Sequence, residues 1–344
     1  MRKTITGIFA CLIIGLLVSS NATAGDLKLA QTGFQFLTVV SDARAAGMGN
    51  AVNSLSLGSS SLFFNPAGLA EMPDFIDASA SDNRWIAGIH HMSFALALSP
   101  WKARYGVLGF SAQAVDYGDK FFGTVVVPEI ENENGYINTG DIKPSALALG
   151  VGYAKALNDR FSVGGQVRLV RQDFGDMIVP VTDSTRSVTR FKKTPLAFDF
   201  GTLFKTGFKS LTFGMSVRNF SQEVKYIRES FELPLVFTLG IHADLMDWIQ
   251  IGGPKQSAIL SIDAKHDRSH PEQVCVGLDY RLMNALSCRI GYSSRSKISG
   301  DNYVDENSMS YGVGFSLVGL SVDYAYAPFG VFDSVQRLTV RISR

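Results

Sequence analysis

Residues 147–153 read Leu-Ala-Leu-Gly-Val-Gly-Tyr, and their alternation is the clearest guide to the fold. Large side chains stand at every second position, and only alanine or glycine stands between them. Because neighbouring side chains of a β-strand point to opposite faces, such a strand has one bulky apolar face and one nearly bare face. The wall of a membrane barrel needs this arrangement, with hydrocarbon toward lipid and small or polar groups toward the interior.

The same alternation recurs along most of the chain, for example in residues 92–98, 161–169, 311–317 and 338–342. A soluble β-sandwich or propeller would produce a similar pattern with the burial reversed, so the period alone leaves those folds open. The sequence predicts about 14 strands, near residues 72–80, 92–99, 105–115, 144–156, 161–172, 195–205, 211–220, 233–246, 257–266, 272–281, 285–295, 308–317, 319–327 and 335–343.

The lengths of the connections separate these folds. Short turns such as 157–160 and 282–284 follow the even-numbered strands, and longer loops, above all 116–143 and 173–194, follow the odd-numbered ones. An even-stranded membrane barrel has short turns on one side of the membrane and long loops on the other, whereas a sandwich has no reason to alternate. The loop 267–271 departs from this rule because it is short. The sequence therefore predicts an all-β fold, a transmembrane antiparallel β-barrel.

The amino terminus and the composition predict an exported membrane protein. Arg2 and Lys3 precede an apolar run that ends at Val18. Ala22-Thr23-Ala24 fits the small-residue cleavage rule, so residues 1–24 are predicted to be a signal peptide. Charged residues make up 18% of the chain, and no later run reaches the roughly 18 apolar residues of a membrane helix. An exported, charge-poor chain without such a helix favours the outer membrane of a diderm bacterium.

Charge and motifs exclude several classes of function. The formal net charge of +1 leaves no basic footprint for nucleic acid. The sequence lacks nucleophile-elbow, zinc-protease, P-loop and Cys-x-x-Cys patterns, so we expect no enzyme activity, no cofactor and no metal site. Cys275 and Cys288 are predicted to lie on opposite faces of a hairpin, which makes them two free thiols.

The segment before the first predicted strand does not alternate. It is rich in small residues, which permit close backbone packing, and Pro66 ends any helix or central strand. We expect this segment to fold back as a plug in the mouth of the barrel, with two phenylalanines against the inner wall and an Asn-Pro turn that leads to the first strand. The residues of this plug and turn motif are Arg44, Gly47, Gly49, Phe63, Phe64, Asn65, Pro66 and Gly68.

Both ends of the chain carry strings that resemble one known family. At the start these are Gly33-Phe-Gln-Phe-Leu37, Asp42-Ala-Arg-Ala-Ala-Gly-Met-Gly-Asn-Ala51 and Phe64-Asn-Pro-Ala-Gly-Leu69. At the end they are Tyr311-Gly-Val-Gly-Phe315, Asp323-Tyr-Ala-Tyr-Ala-Pro328 and Gln336-Arg-Leu-Thr-Val340. The strings resemble the PorV/PorQ family of outer-membrane barrels, which is related to the FadL fatty-acid transporters. Arg344 stands where an aromatic residue is usual, and Gln336 where histidine is frequent.

The resemblance implies a plug at residues 25–71 and a 14-stranded barrel at residues 72–344. It also implies a function, since PorV-like members belong to the type IX secretion system. Such members bind exported cargo proteins by their carboxy-terminal sorting domains, work with other secretion components, and pass the cargo to surface attachment. Cargo would then contact the outer loops 116–143 and 173–194.

The alternative is a FadL-like transporter of hydrophobic small molecules. It predicts an apolar cavity that holds a hydrophobic ligand, and a gap or kink in the wall. The aromatic residues expected near that cavity are Phe34, Phe36, Phe63 and Phe64.

Polar and aromatic side chains of the wall carry two further predictions. Trp85, Trp101 and Tyr105 lie near predicted strand ends and suit an aromatic girdle at the membrane interfaces. Four polar residues should face the lumen, where they either line a path for an acidic solute or hydrogen-bond the plug. These are Gln166, Arg168, Arg337 and Arg341.

Overall fold

Fourteen antiparallel strands close into a single wall. The computed structural model describes residues 32–118, 121–127, 132–182, 185–226, 230–249, 255–270, 272–294, 296–299, 302–305, 308–328 and 334–344, so the predicted signal peptide and residues 25–31 lie outside it. Each strand pairs with its neighbours in the sequence, and the first pairs with the last. The wall strands are β1 Ile76–Arg84, β2 His90–Leu98, β3 Val107–Asp116, β4 Ser145–Ala156, β5 Phe161–Thr182, β6 Leu196–Lys205, β7 Thr212–Ser221, β8 Val236–Asp244, β9 Gln256–Asp267, β10 Gln273–Leu282, β11 Leu286–Ser293, β12 Ser308–Leu317, β13 Leu320–Pro328 and β14 Ser334–Ser343.

Every predicted strand corresponds to a wall strand, with differences at some boundaries. β1 and β8 begin later than predicted because Pro73 and Pro234 have no N–H group to donate to a ladder. β5 runs on to Thr182, well beyond the predicted end, because its last part pairs with Thr185–Lys193 in a two-stranded ribbon that rises above the wall.

The outer face of the wall is an apolar belt. Outward residues such as Phe94, Leu149 and Phe200 are exposed, while the inward Ala95 and Ala148 between them are buried. Burial of such a belt in lipid is the arrangement that a transmembrane barrel requires. Among the described residues, no helix is long and apolar enough to cross a membrane. The predicted fold class, a transmembrane antiparallel barrel, is confirmed.

The two ends of the barrel differ. At the terminus end β1 and β14 are joined by reciprocal backbone bonds of 2.9 Å between Ile76 and Arg344. Most connections there are short, and the exception is the one between β8 and β9. The loop end carries the longer connections, and by the rule for such barrels it faces outward. Its hairpins pair Phe121–Val126 with Tyr136–Ile142, Val224–Lys225 with Ser230–Phe231, and Ser296–Ser299 with Asn302–Asp305. Single-turn helices Ile86–Gly88, Pro100–Ala103 and Leu245–Asp247 lie in other connections.

Residues 32–75, here named the inner segment, run through the inside of the barrel. Thr32 bridges to Glu232 at the loop end, and Glu71 bonds Ser162 and Lys205 at the terminus end. The segment is built from short helices, namely the 3-10 helices Gln35–Thr38, Gly58–Phe63 and Pro66–Glu71 and the α-helix α1, Ala43–Gly47. The barrel interior is therefore filled by chain that precedes the wall.

The two cysteines lie in the predicted register. Tyr280 pairs with Cys288, and Cys275 pairs with Ser293. Cys275 is buried inside, whereas Cys288 is exposed on the lipid face, and both thiols are free.

Candidate functional site

The Asn-Pro turn of the inner segment is fixed by the side chain of Asn65. Its Oδ1 accepts the N–H of Ala67 at 3.1 Å, which caps the helix that begins at Pro66. Its amide group donates to the carbonyl oxygens of Asn53 and Thr202, at 2.8 and 3.1 Å. One residue thus joins two parts of the inner segment to the wall.

The glycines of the motif lie at close backbone contacts. A Cβ atom on Gly49, whose φ is +61°, would lie 2.8 Å from the backbone of Tyr292. Gly47 packs against Gly312 of the wall, and Gly68 packs against Ser61 within the inner segment. The small residues therefore let the inner segment approach the wall at backbone distance.

Arg44 joins the inner segment to a chain of buried charges on the wall. Its Nη2 lies 3.0 Å from Oδ2 of Asp279, and Nε of Arg289 donates to the other carboxylate oxygen at 3.1 Å. Arg289 also donates to Asp323 at 2.6 Å. Buried charges are costly unless they are paired, so this alternating chain holds α1 in one position. None of the three wall members was predicted from the sequence; their signal is a charged residue at an inward position of an alternating strand.

A second buried carboxylate binds the next stretch of the inner segment. Oδ2 of Asp263 accepts the N–H groups of Val52 and Asn53, at 2.9 and 2.8 Å. Asn53 in turn accepts a hydrogen bond of 2.5 Å from Ser216 and donates to the carbonyl of Thr238. Charge-assisted bonds to backbone N–H groups are among the stronger hydrogen bonds.

Between the inner segment and the wall lies a cavity of about 270 Å³. Its lining combines apolar and charged side chains. The apolar ones include Val39, Val40, Leu62, Phe63, Phe64 and Val236, and the charged ones are Arg168, Asp199, Arg218, Lys265, Asp267 and Arg337. Among the described residues that line the cavity, four are cations and two are carboxylates.

The cations of the cavity are held by neighbours on the wall and the inner segment. Arg168 Nε and Nη2 lie 2.7 and 2.9 Å from the carboxylate oxygens of Asp199. Arg218 donates to the carbonyl oxygen of Phe63, and Lys265 donates to that of Asn50 at 2.9 Å. Arg218 therefore reaches from the wall to the inner segment.

The wall is kinked at Arg218. The register between β6 and β7 shifts between Val217 and Phe220, and Asn219 adopts a φ of +62°. Pairing between β7 and β8 ends at the same place, where Arg218 meets Val236. This β-bulge turns Arg218 and Asn219 inward together, where alternation alone would place one inside and one outside.

Aromatic rings stack at the loop end, above the cavity. Phe231 stacks on Phe34 and on Tyr226, with ring centroids 6.1 and 5.4 Å apart, and the ring of Phe191 lies 5.7 Å from that of Tyr226. Burial, with a contribution from Asp173, raises the pKa of Tyr226 to about 12, so its ring stays neutral. The rings border a pocket of about 590 Å³, and Gln35 lines both this pocket and the cavity below it.

The structure brings only some of the predicted lumen residues to the cavity. Arg168 and Arg337 line it, whereas Gln166 donates to Ser111 and Arg341 pairs with Asp77 beside the inner segment. The partners of Gln166 and Arg341 are themselves wall residues, and the role of the four polar side chains stays a prediction.

The aromatic residues that were predicted to lie near a cavity occupy two different places. Phe63 and Phe64 border the cavity, but Phe34 and Phe36 pack in a separate cluster with Val115 and Leu233. Trp101 and Tyr105 form an exposed edge-to-face pair at the terminus end, as a girdle requires.

The girdle interpretation of Trp85 is wrong. Arg337 lies over its ring at 5.6 Å, and the ring borders the cavity. The cause is the alternation of β1, because the odd-numbered side chains from Asp77 to Asn83 face inward and Trp85, whose backbone is extended, continues that row.

A serine and a histidine that no sequence pattern marks as partners meet inside the barrel. Ser54 Oγ and His242 Nδ1 are 3.1 Å apart. The nearby Asp244 carboxylate is occupied by the N–H groups of Met246 and Ala258 and by the hydroxyl of Ser257. Neither Ser54 nor His242 borders the cavity, so the pair fastens the inner segment to the wall.

Neither a protein-family model nor a curated protein matches the chain. Solved structures do match. They include the toluene transporter TbuX of Ralstonia pickettii, with 12% identity, a TM-score of 0.54, and coverage of 87% of this chain and 96% of that one. A FadL homologue of Pseudomonas aeruginosa has 12% identity, a TM-score of 0.55, and coverage of 88% and 98%. The monoaromatic hydrocarbon channel CymD has 13% identity, a TM-score of 0.57, and coverage of 89% and 97%.

At this level of identity the likeness concerns the fold. The chain shares the 14-stranded barrel of FadL-type outer-membrane proteins over most of its length. Together with the apolar belt, this supports the predicted outer-membrane location.

Proposed function

We propose that the protein passes hydrophobic small molecules across the outer membrane, and that its ligand is amphipathic, with an apolar body and a negatively charged group. The observation that carries the proposal is the cavity between the inner segment and the wall, whose lining combines apolar and cationic side chains. Leu62, Phe63 and Phe64 offer apolar surface, and Arg218 and Lys265 offer positive charge. Enclosed binding sites are typically lined in this way, with mostly apolar side chains and a few convergent polar groups.

A route through the barrel can be traced from the described residues. The aromatic stack at the loop end would receive the apolar part of a molecule from outside. Gln35 lies between that pocket and the cavity. The bulge at Arg218 and Asn219, where β7 leaves β8, is the place where the wall is least regular. It lies directly beside the cavity, so a molecule could leave there toward the membrane.

The cations distinguish a charged amphiphile from a neutral hydrocarbon. Arg218 and Lys265 donate to backbone carbonyl oxygens, so a carboxylate or a similar group would give them a charged partner, whereas a neutral ring would not. A charge loses its hydration when it is buried, and a partner of opposite charge offsets that loss. A ligand whose charge is opposite to that of these cations should therefore be favoured. We therefore expect an anionic amphiphile to bind more tightly than a neutral molecule of the same length.

Trp85 offers a direct test because it borders the cavity. Trp101 and Trp248 are replaced by phenylalanine, and the chain is placed in lipid nanodiscs. ω-Bromododecanoate and ω-bromododecanol are then compared as quenchers of the remaining tryptophan. We expect the carboxylate to bind more tightly by about tenfold, the size of one charge-assisted hydrogen bond.

Variants at the cavity make the test specific. Arg218→Gln and Lys265→Gln should each weaken binding of the carboxylate and leave binding of the alcohol unchanged. Arg84→Gln is the matched control, because Arg84 is an exposed cation at the loop end that does not border the cavity. Equal quenching by the two probes would contradict the proposed preference for an anionic ligand. Absence of quenching by either probe would contradict transport through this cavity.

A second proposed function, cargo binding in type IX secretion, rests on the loop end. The hairpin Phe121–Val126 and the ribbon beyond β5 extend past the wall and carry strongly exposed apolar side chains. Phe122, Val126 and Val188 are 75%, 87% and 71% exposed. These positions fall in the two loops for which the PorV/PorQ resemblance implies cargo contacts, and exposed apolar groups are typical of protein-binding surfaces.

A pull-down separates the two functions. The tagged chain is solubilised from outer membranes in mild detergent, and bound proteins are identified by mass spectrometry. Recovery of exported proteins that share a carboxy-terminal β-domain, lost in Phe122→Ser with Val126→Ser, would support cargo binding. Leu157→Ser, an exposed apolar residue in a turn at the terminus end, is the control. Recovery of the barrel alone would count against cargo binding and leave transport standing.

A further inference from the structure

A shallow groove crosses the outer, lipid-facing side of the wall on β2 to β6. Its centre is a row of directly paired residues, one from each strand: Phe94, Ala112, Leu149, Leu169 and Leu196. Ala112 is small and lies between two large side chains, so the surface is hollow there. The groove encloses about 510 Å³, and its lining is almost entirely apolar.

Cations lie directly beyond this groove, toward the loop end. After Leu169 the next outward residue of β5 is Arg171, about 7 Å further along the strand. Arg171 pairs with Leu147 on β4, and Leu147 pairs with Ala114 on β3. Of these three residues, which form the next row toward the loop end, Arg171 alone is charged. Lys192 and Arg190 follow on the ribbon strand. The apolar groove therefore ends at a set of positive groups.

One buried carboxylate holds two of these cations in place. Nη2 of Arg171 and Nη2 of Arg190 both donate to Oδ2 of Asp173, at 3.1 and 3.0 Å. The Asp173 side chain is 6% exposed, and its other oxygen accepts the N–H of Gly175 at 3.0 Å. A guanidinium has five N–H donors, so each arginine keeps donors for a second anion. With Lys192 beside them, the three cations outweigh this one carboxylate.

Other charged groups lie around the cluster. Asp176 pairs with Arg190 across the ribbon, and Asp116 lies two strands away from Asp173 in the same row. Asp141 and Lys143 are exposed in the connection before β4. Each of these lies further from the groove than Arg171 does. A negative group at the end of the groove would therefore meet Arg171 first.

We propose that this face of the barrel binds a membrane lipid with a net anionic phosphate headgroup, in the leaflet at the loop end. The acyl chains fill the groove over Ala112, and the phosphate lies between Arg171 and Arg190. Arginine is well suited to this contact, because its planar fork matches the oxygen atoms of a phosphate. The groove and the cations are on the outside of the wall, so the proposal is independent of transport through the cavity.

The test is lipid retention by the full chain in native mass spectrometry. Dioleoylphosphatidic acid and dioleoylphosphatidylcholine are compared, because they share their acyl chains and differ in headgroup charge. We expect the anionic lipid to be retained at concentrations about tenfold lower, as one charge-assisted contact provides. Arg171→Gln with Arg190→Gln should abolish this preference. Ala112→Leu should lower retention of both lipids, since it fills the groove from the lipid side.

The controls make each outcome decisive. Arg84→Gln removes an exposed cation elsewhere at the loop end and should change nothing. Ala112→Leu is a lipid-facing change that leaves Asp173 paired, so it tests the groove even if the double arginine variant fails to fold. Equal retention of the two lipids by the unmodified chain would overturn the proposal. So would retention that survives both sets of substitutions, or displacement of the lipid by inorganic phosphate alone.

Discussion

Replacement of Gly291 by alanine should push the inner segment away from the wall. Gly291 lies on β11, and a Cβ atom there would be 1.9 Å from the nitrogen of Gly49 and 2.3 Å from the carbonyl carbon of Met48. Ordinary contacts of a Cβ atom begin at 3.4 Å. The backbone of the inner segment would therefore have to move by about 1.5 Å, because neither colliding atom belongs to a flexible side chain.

That movement would break identified contacts. The N–H of Gly49 donates to Ser310 Oγ at 3.1 Å, and the adjacent α1 is held by the bond between Arg44 and Asp279. Overpacking of a well-packed interior costs about 1–3 kcal/mol. A cost of this size should loosen the inner segment while the closed ladder of the wall persists.

Two measurements would detect this change. Ion conductance in planar bilayers should rise in Gly291→Ala, because a displaced inner segment opens the interior to water. The variant should still migrate as a folded, heat-modifiable barrel in electrophoresis. Gly165→Ala is the matched control, since a Cβ atom at that wall glycine has ordinary contacts of 3.5 Å or more. If both variants conduct like the unmodified protein, the close packing described at Gly49 is wrong.

Three further predictions concern the interior and the register. Asp263→Ala removes the acceptor of two backbone N–H groups and should lower the free energy of unfolding in detergent by about 2–5 kcal/mol, whereas Asp263→Asn, which keeps an oxygen atom, should lower it less. Asp279→Ala leaves two buried arginines short of a partner and should lower the free energy of unfolding by about 3–5 kcal/mol. Arg44→Ala should lower it less, because Asp279 then still pairs with Arg289. Urea titrations followed by tryptophan fluorescence would rank the two variants, and the opposite order would contradict the chain of buried charges. Cys288 should react with a membrane-soluble maleimide in intact vesicles and Cys275 should not, and labelling of Cys275 would show that the register is wrong.

The wall was predictable because its signal is local. A lipid-facing strand must alternate between bulky and small or polar side chains, and stretches such as residues 147–153 show this without reference to any partner. The alternation of short and long connections then gave the class of barrel, and the strand positions followed. The predicted strand ends were wrong mainly where the strand itself continues past the wall. An example is β5, which extends into the ribbon and ends at Thr182.

The interior was decided by the tertiary structure. Val52 and Asp263 are separated by more than 200 positions, and no local pattern marks them as partners. Closure of the barrel brings them together, since it sets which inward side chain of each strand lies at the height of each residue of the inner segment. The bulge at Asn219 acts in the same way, because a single φ of +62° brings Arg218 and Asn219 to the inner face together. By itself the sequence determined the wall and the small residues that must pack inside it, whereas the cavity and its cations depend on contacts that exist only after the ring has closed.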